Sequence, residues 1–112
     1  MANIKFDPGL RPYDNSGIRR RRLVVYTGPK SYVTGGDSIA AGDVDLGTIE
    51  DMSENVAYNP TTPAIFFLAL DQSVAAGGPT NGKIRWFSAT ATEVSNGTDL
   101  SGSSSIIEFI GR

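Results

Sequence analysis

Hydrophobic side chains come in short runs cut by turn residues, and nowhere along the chain do they hold a sustained 3.6-residue period. That pattern predicts strands and turns instead of a helical bundle. Residues 22–27 (RLVVYT), stopped by Gly28 and Pro29, read as a strand with both faces at least partly covered. Residues 31–45 are rich in turn signals and leave room for at most a single helical turn starting at Asp37 or Ser38. Residues 46–52 and 55–58 are weaker strand candidates. The most hydrophobic stretch is AIFFLAL at 64–70, bracketed by Pro63 and Asp71. Its length suits a buried strand better than a helix, although periodicity alone leaves both open. Asn81-Gly82 before KIRWF is a hairpin signal, since both central residues of a type I′ turn need positive φ. Residues 104–111, with Ile106, Ile107, Phe109 and Ile110, supply a strand that closes the core.

Composition agrees with this reading. Thirteen glycines and six prolines punctuate the chain too often for long helices. The expected fold is all-β, a small β-sandwich or barrel made of one domain over residues 19–112. Residues 1–18 have two prolines, two glycines and little apolar periodicity, so they read as an extended N-terminal arm. Stretched at about 3.3 Å per residue, such an arm reaches roughly 60 Å. With no stretch of 18 apolar residues and no basic-then-apolar start, the expectation is a soluble chain made in a cytoplasm.

The absence of cysteine rules out disulfides and thiolate chemistry. The absence of histidine removes the commonest general base and the commonest metal ligand. Near-motifs are few and incomplete. Residues 77–83 have P-loop spacing as far as Lys83, but Ile84 stands where a hydroxyl must meet Mg²⁺, and a strand follows instead of a helix. Gly36-Asp37-Ser38 begins like a nucleophile elbow but lacks the closing glycine. Asp43, Asp45 and Glu54 fall at places one, three and twelve of a calcium loop, yet Gly47 and Thr48 break it; a weaker cluster of Asp37, Asp43 and Asp45 reads better as turn carboxylates. Glu50 and Asp51 are adjacent and so face opposite ways on a strand, and nothing singles out Glu93 or Glu108. The expectation is no enzyme, no cofactor and no metal.

Charge is unevenly placed. Residues 1–30 carry seven basic and two acidic side chains, whereas residues 31–112 carry three basic and ten acidic. The sharpest feature is Arg19, Arg20, Arg21 and Arg22: four guanidinium groups repel one another unless an anionic partner lies close. The alternative is a solvated strand entrance that discourages edge aggregation. An acidic protein surface fits the block better than nucleic acid, because the acidic remainder would repel a phosphate backbone. Trp86 and Phe87 are neighbours, so a half-buried strand sends one inward and one outward.

Five pieces in order, namely 32–37 (YVTGGD), 45–49 (DLGTI), 81–84 (NGKI), 92–100 (TEVSNGTDL) and 107–112 (IEFIGR), resemble the small capsid decoration, or cement, proteins of tailed bacteriophages. The resemblance covers residues 31–112 and is weakest over 64–80. It implies a β-rich virion protein on the outer surface of the expanded capsid, in dimers or trimers, reinforcing contacts between major capsid subunits without touching nucleic acid or membrane. Contact candidates are Arg19, Arg20, Arg21 and Arg22, with Tyr13, Arg85 and Trp86. Two other classes stay open: a receptor- or glycan-binding module with Trp86, Tyr32 and Tyr58 as stacking platforms, and a tail or head-completion component.

Overall fold

The computed structural model describes residues 3–5, 13–16, 19–53, 55–72, 81–88 and 90–112, and for residues 13–16, 19 and 55 the backbone alone. The fold is all-β, as expected. Among the described residues nine strands form one antiparallel sheet: β1 (Asn3–Lys5), β2 (Tyr13–Ser16), β3 (Arg19–Thr27), β4 (Asp37–Ala40), β5 (Ile49–Met52), β6 (Asn55–Asn59), β7 (Ala64–Asp71), β8 (Asn81–Phe87) and β9 (Ser104–Gly111). Their order is β1-β3-β9-β6-β7-β8-β4, with β2 also on β3 and β5 also on β9. The sheet curls strongly into a half-barrel.

The core fills the concave side. Alternation puts Val24 and Tyr26 of β3, Ile107 and Phe109 of β9, Leu68 of β7 and Trp86 of β8 inside. Trp86 is wholly buried, with the Tyr26 ring at 5.8 Å and the Phe66 ring at 5.6 Å between centroids. Such tilted and edge-on aromatic pairs contribute about 0.5–1.5 kcal/mol each beyond the area they bury.

Several expectations change. Residues 64–70 do form a strand, but not one buried on both faces: Phe66, Leu68 and Leu70 turn inward while Ile65 and Phe67 stand half-exposed outside. A single-layer sheet has only one core face, so an apolar run on it must expose every second residue. Asn81 and Gly82 are not a turn; they pair with Ala40 and Ile39 inside the β4–β8 ladder. Gly82 suits a strand there because a Cβ would stand 3.1 Å from the Asp71 carbonyl oxygen. Residues 77–80, the other half of the expected turn, lie outside the described residues. The single helical turn begins at Ala41, not at Asp37 or Ser38, and is a 3-10 turn over Ala41–Val44. Asp37 and Ser38 lie in β4, so the elbow-like triplet leads into a strand.

The N-terminal segment is extended where it is described, but it folds back instead of reaching away. β1 pairs with Val25, Tyr26 and Thr27, and β2 pairs with Arg19 through Arg22, so both lie along the same margin of β3.

Candidate functional site

Two features stand out among the described residues: a polar clamp inside the half-barrel and an apolar half of its outer face. The clamp grows from Trp86. Its indole N–H donates to Tyr26 Oη at 3.0 Å, and Tyr26 Oη donates onward to Asp37 Oδ2 at 2.7 Å. The Trp86 backbone N–H donates to Tyr32 Oη at 3.1 Å, and that hydroxyl donates to Glu93 Oε2 at 2.8 Å. Glu93 also accepts the Gly35 N–H at 2.8 Å and, through Oε1, Arg85 Nη2 at 2.9 Å. Loop 28–36 and loop 93–103 are thereby tied to the sheet and to each other, helped by the Tyr32 N–H donating to the Thr98 carbonyl at 2.9 Å and the Gly97 N–H donating to the Tyr32 carbonyl at 2.6 Å.

Electrostatics follow this geometry. The Arg85 guanidinium, then the Gly35 N–H and the Tyr32 hydroxyl, hold the Glu93 carboxyl down to about 2. Burial, aided by the facing Glu93, pushes the Tyr32 hydroxyl up to about 12. Burial and then the Asp37 charge push Tyr26 well above the ordinary phenol range. Asp37 is itself raised by burial, against the lowering effect of the Tyr26 hydrogen bond. Tyr26, Tyr32, Asp37 and Glu93 each hydrogen-bond a neighbour, so the clamp holds loops in place.

The outer face is organised in rows across the strands. The ladders set Val25 opposite Ile106, Val56 opposite Phe67, and Phe67 opposite Phe87. Tyr58 opposite Ser104 sets Val56 beside Ile106, which completes one apolar row over β3, β9, β6, β7 and β8. The next row toward the β6–β7 hairpin tip adds Tyr58 and Ile65. Val56, Tyr58, Ile65, Phe67 and Ile106 are 42–50 % exposed, and they are five of the six large apolar side chains exposed among the described residues. Toward the other end of the strands the face becomes charged, with Arg21 and Asp51 flanking Ile110, and Asp71 opposite Lys83. Contiguous exposed apolar surface of this kind marks a docking surface on a folded domain.

The expected contact residues fare unequally. Trp86 has no exposed surface, so it is a core residue and not a surface anchor. The four arginines do not make one patch, because a strand sends alternate residues to opposite faces. Arg22 turns inward, 3 % exposed, with Nε 3.6 Å from Asp45 Oδ2 and Nη1 donating to the Arg21 carbonyl. Arg20 and Arg21 are exposed. The side chains of Arg19 and Tyr13 lie outside the described residues. Arg85 sits 5.5 Å over the Phe87 ring and is held by Glu93. Of the three stacking candidates, Tyr32 and Trp86 are buried and Tyr58 is exposed.

The turn carboxylates are also dispersed. Asp37 meets Tyr26, Asp43 accepts the Ala40 N–H at 2.9 Å, and Asp45 faces Arg22. No three acidic side chains converge on one point among the described residues. Sequence reasoning passed over Glu93, whose spacing of 61 residues from Tyr32 leaves no local trace. It also passed over the outer row, because AIFFLAL is apolar at both parities and does not mark which side chains face out.

A scan against known protein families and searches of curated proteins and of solved structures find no match.

Proposed function

We propose that this chain is a structural protein of a phage virion that binds the outside of the expanded capsid and reinforces contacts between major capsid subunits. The observation that carries the reading is the half-apolar outer face on a domain whose interior ionisable groups are already paired. Such a domain is equipped to dock and not to react. The five sequence pieces whose order resembles that of capsid decoration proteins support a capsid as the surface it docks on. A ligand that binds only the expanded shell stabilises that shell by mass action, which is the physical content of cementing.

The test is to mix the protein with expanded and unexpanded capsids of its source phage, sediment them and count bound copies. Many copies on expanded shells alone, with a raised shell melting temperature, is the expected result. Absent binding, or binding in the small number of a ring, overturns the reading in favour of a tail or head-completion component.

A further inference from the structure

The chain holds two Asn-Gly pairs, Asn81-Gly82 and Asn96-Gly97, and the fold treats them differently. We infer that Asn96 is a site of self-modification, where the Gly97 backbone nitrogen attacks the Asn96 side chain, and that the clamp on loops 28–36 and 93–103 gates the reaction. In that step the Gly97 nitrogen gives its proton to hydroxide and bonds to Asn96 Cγ. The Cγ–Nδ2 bond breaks, and ammonia leaves with a proton taken from water, so that a cyclic imide remains. Water then opens the imide. Cleavage at Cγ yields aspartate, and cleavage at the backbone carbonyl yields isoaspartate, which has an extra methylene in the main chain. Glycine suits the attacking position because no side chain shields its nitrogen.

Three observations lead there. First, Asn96 and Gly97 are both exposed, whereas Gly82 is buried, paired with Ile39 of β4 and next to the Asp71 carbonyl of β7. Closing the ring at Asn81 means parting a ladder. At Asn96 a turn need only open, and local opening of a loop costs far less than global unfolding. Second, the turn shows what holds the reaction back. The Thr98 N–H donates to the Ser95 carbonyl at 3.2 Å, Gly97 has a φ of 85° and Asn96 keeps a negative φ, which together make a type II turn. Such a turn directs the Gly97 nitrogen away from the Asn96 side chain. The Gly97 N–H is also engaged by the Tyr32 carbonyl at 2.6 Å, and Asn96 Oδ1 accepts the Thr34 N–H at 3.2 Å. Third, Tyr32 and Thr34 belong to the loop that Glu93 holds through the Tyr32 hydroxyl and the Gly35 N–H, so loosening the clamp releases both reacting groups together. The two products then differ in effect. Aspartate keeps an oxygen for the Thr34 N–H, whereas isoaspartate lengthens the main chain and misaligns Gly97 with Tyr32. Conversion to isoaspartate is therefore a one-way loosening of the loops that reach Trp86 through Tyr32.

The experiment is to age the full chain at mildly alkaline pH, digest it with trypsin and follow residues 86–112, in which Asn96 is the sole asparagine, against residues 31–83, which contain Asn81. Fragment masses locate the converted residue, and an isoaspartyl methyltransferase reads the isoaspartate. In the folded chain Asn96 should convert several-fold faster than Asn81, while in strong urea the two pairs convert at similar rates. Glu93→Gln, and separately small additions of urea below the unfolding transition, should each raise the Asn96 rate several-fold and leave Asn81 unchanged. Aged protein carrying isoaspartate should melt at a lower temperature, whereas Asn96→Asp melts like the wild type. Equal conversion of the two asparagines in the folded chain, or an Asn96 that stays intact there, overturns the site. An Asn96 rate that neither Glu93→Gln nor dilute urea moves overturns the gate.

Discussion

Tyr26 Oη donates to Asp37 Oδ2 across 2.7 Å, and the two residues stand near opposite margins of the sheet. Tyr26 is on β3, next to the margin formed by β1 and β2, while Asp37 is on β4, which forms the other margin. Among the described residues the backbone ladder does not close the half-barrel. Side chains close it instead, since Trp86 on β8 reaches the same Tyr26 hydroxyl at 3.0 Å. The tyrosine thus acts as a latch that joins the ends of an open sheet across its core, with the tryptophan as the packed centre.

Replacing Tyr26 by Phe removes a donor to Asp37 and the acceptor of the Trp86 indole while keeping the ring. Loss of buried partners of this kind costs about 1–3 kcal/mol, read as a lowered midpoint in urea or thermal unfolding. The pH dependence carries a sign as well. Tyr26 and Tyr32 titrate higher in the folded state than their ordinary value of 10. Their contribution is therefore complete below pH 10 and is lost as pH rises above it, by up to about 1.4 kcal/mol per pH unit for each proton. Tyr26→Phe should show a shallower alkaline loss than wild type between pH 10 and 12. An identical alkaline slope would mean that the latch hydroxyl is not buried as described.

Glu93 works in the opposite sense. Its carboxyl is held at about 2 against an ordinary 4.5, so the stability it confers is present above pH 4.5 and is lost as pH falls toward 2. Asp37, raised by burial, runs the other way: it favours the folded state more as pH drops through its own titration. Glu93→Gln should therefore lower stability at neutral pH and flatten the acid limb, leaving the Asp37 trend exposed. Arg85 is 37 % exposed on its side chain, which screens the ion pair and puts the neutral-pH loss toward the low end of about 1.5–3 kcal/mol. An acid unfolding curve unchanged by Glu93→Gln would sink the clamp.

What the sequence discloses and what it hides follow from distance along the chain. β3, β7 and β9 are legible because each holds a cluster of apolar or β-branched residues, 23–27, 64–70 and 106–110, ended by glycine or an acid. The sidedness of β7 is not legible, since AIFFLAL has apolar residues at both parities and only the fold reveals that one face lacks a second layer. Asn81-Gly82 misleads because the dipeptide is read for its turn propensity, while the close Asp71 carbonyl also demands a glycine in an extended strand. The arginine block is legible as charge and illegible as geometry: alternation splits it, and Asp45, which Arg22 meets, lies in a turn far along the chain. The Tyr26, Asp37 and Trp86 latch combines residues 11 and 60 apart, which no local pattern joins.

Gly111 makes the sharpest steric prediction. An added Cβ would collide with the Thr48 carbonyl oxygen, where the end of β9 passes the entrance to β5. That oxygen accepts the Arg112 N–H, while the Arg112 carbonyl accepts the N–H groups of Gly47 and Thr48, so neither side can withdraw without losing backbone hydrogen bonds. Gly111→Ala should cost about 1–3 kcal/mol or more. Gly42→Ala, where nothing lies within 4 Å, should stay within about 0.5 kcal/mol. Comparable unfolding midpoints for the two variants would contradict this packing.

The N-terminal strands carry the last prediction. β1 and β2 together cover most of the outer margin of β3, from Thr27 to Val25 and from Arg22 to Arg19, and Ile4 packs against the core. Deleting residues 1–16 leaves that margin as an uncovered strand edge, a template for pairing with other chains. The truncated protein should melt at a lower temperature and associate as its concentration rises, with Arg20 and Arg21 slowing the association by repulsion. For the same reason, a segment that leaves β3 to staple a neighbouring subunit must first give up these ladders, so stapling competes with the stability of the isolated domain. Comparing the truncated and full chains on expanded capsids separates the two roles. Lower stability with unchanged capsid binding assigns the segment to the fold, whereas lost binding at unchanged melting temperature would assign it to the partner and overturn its role as a cover for β3.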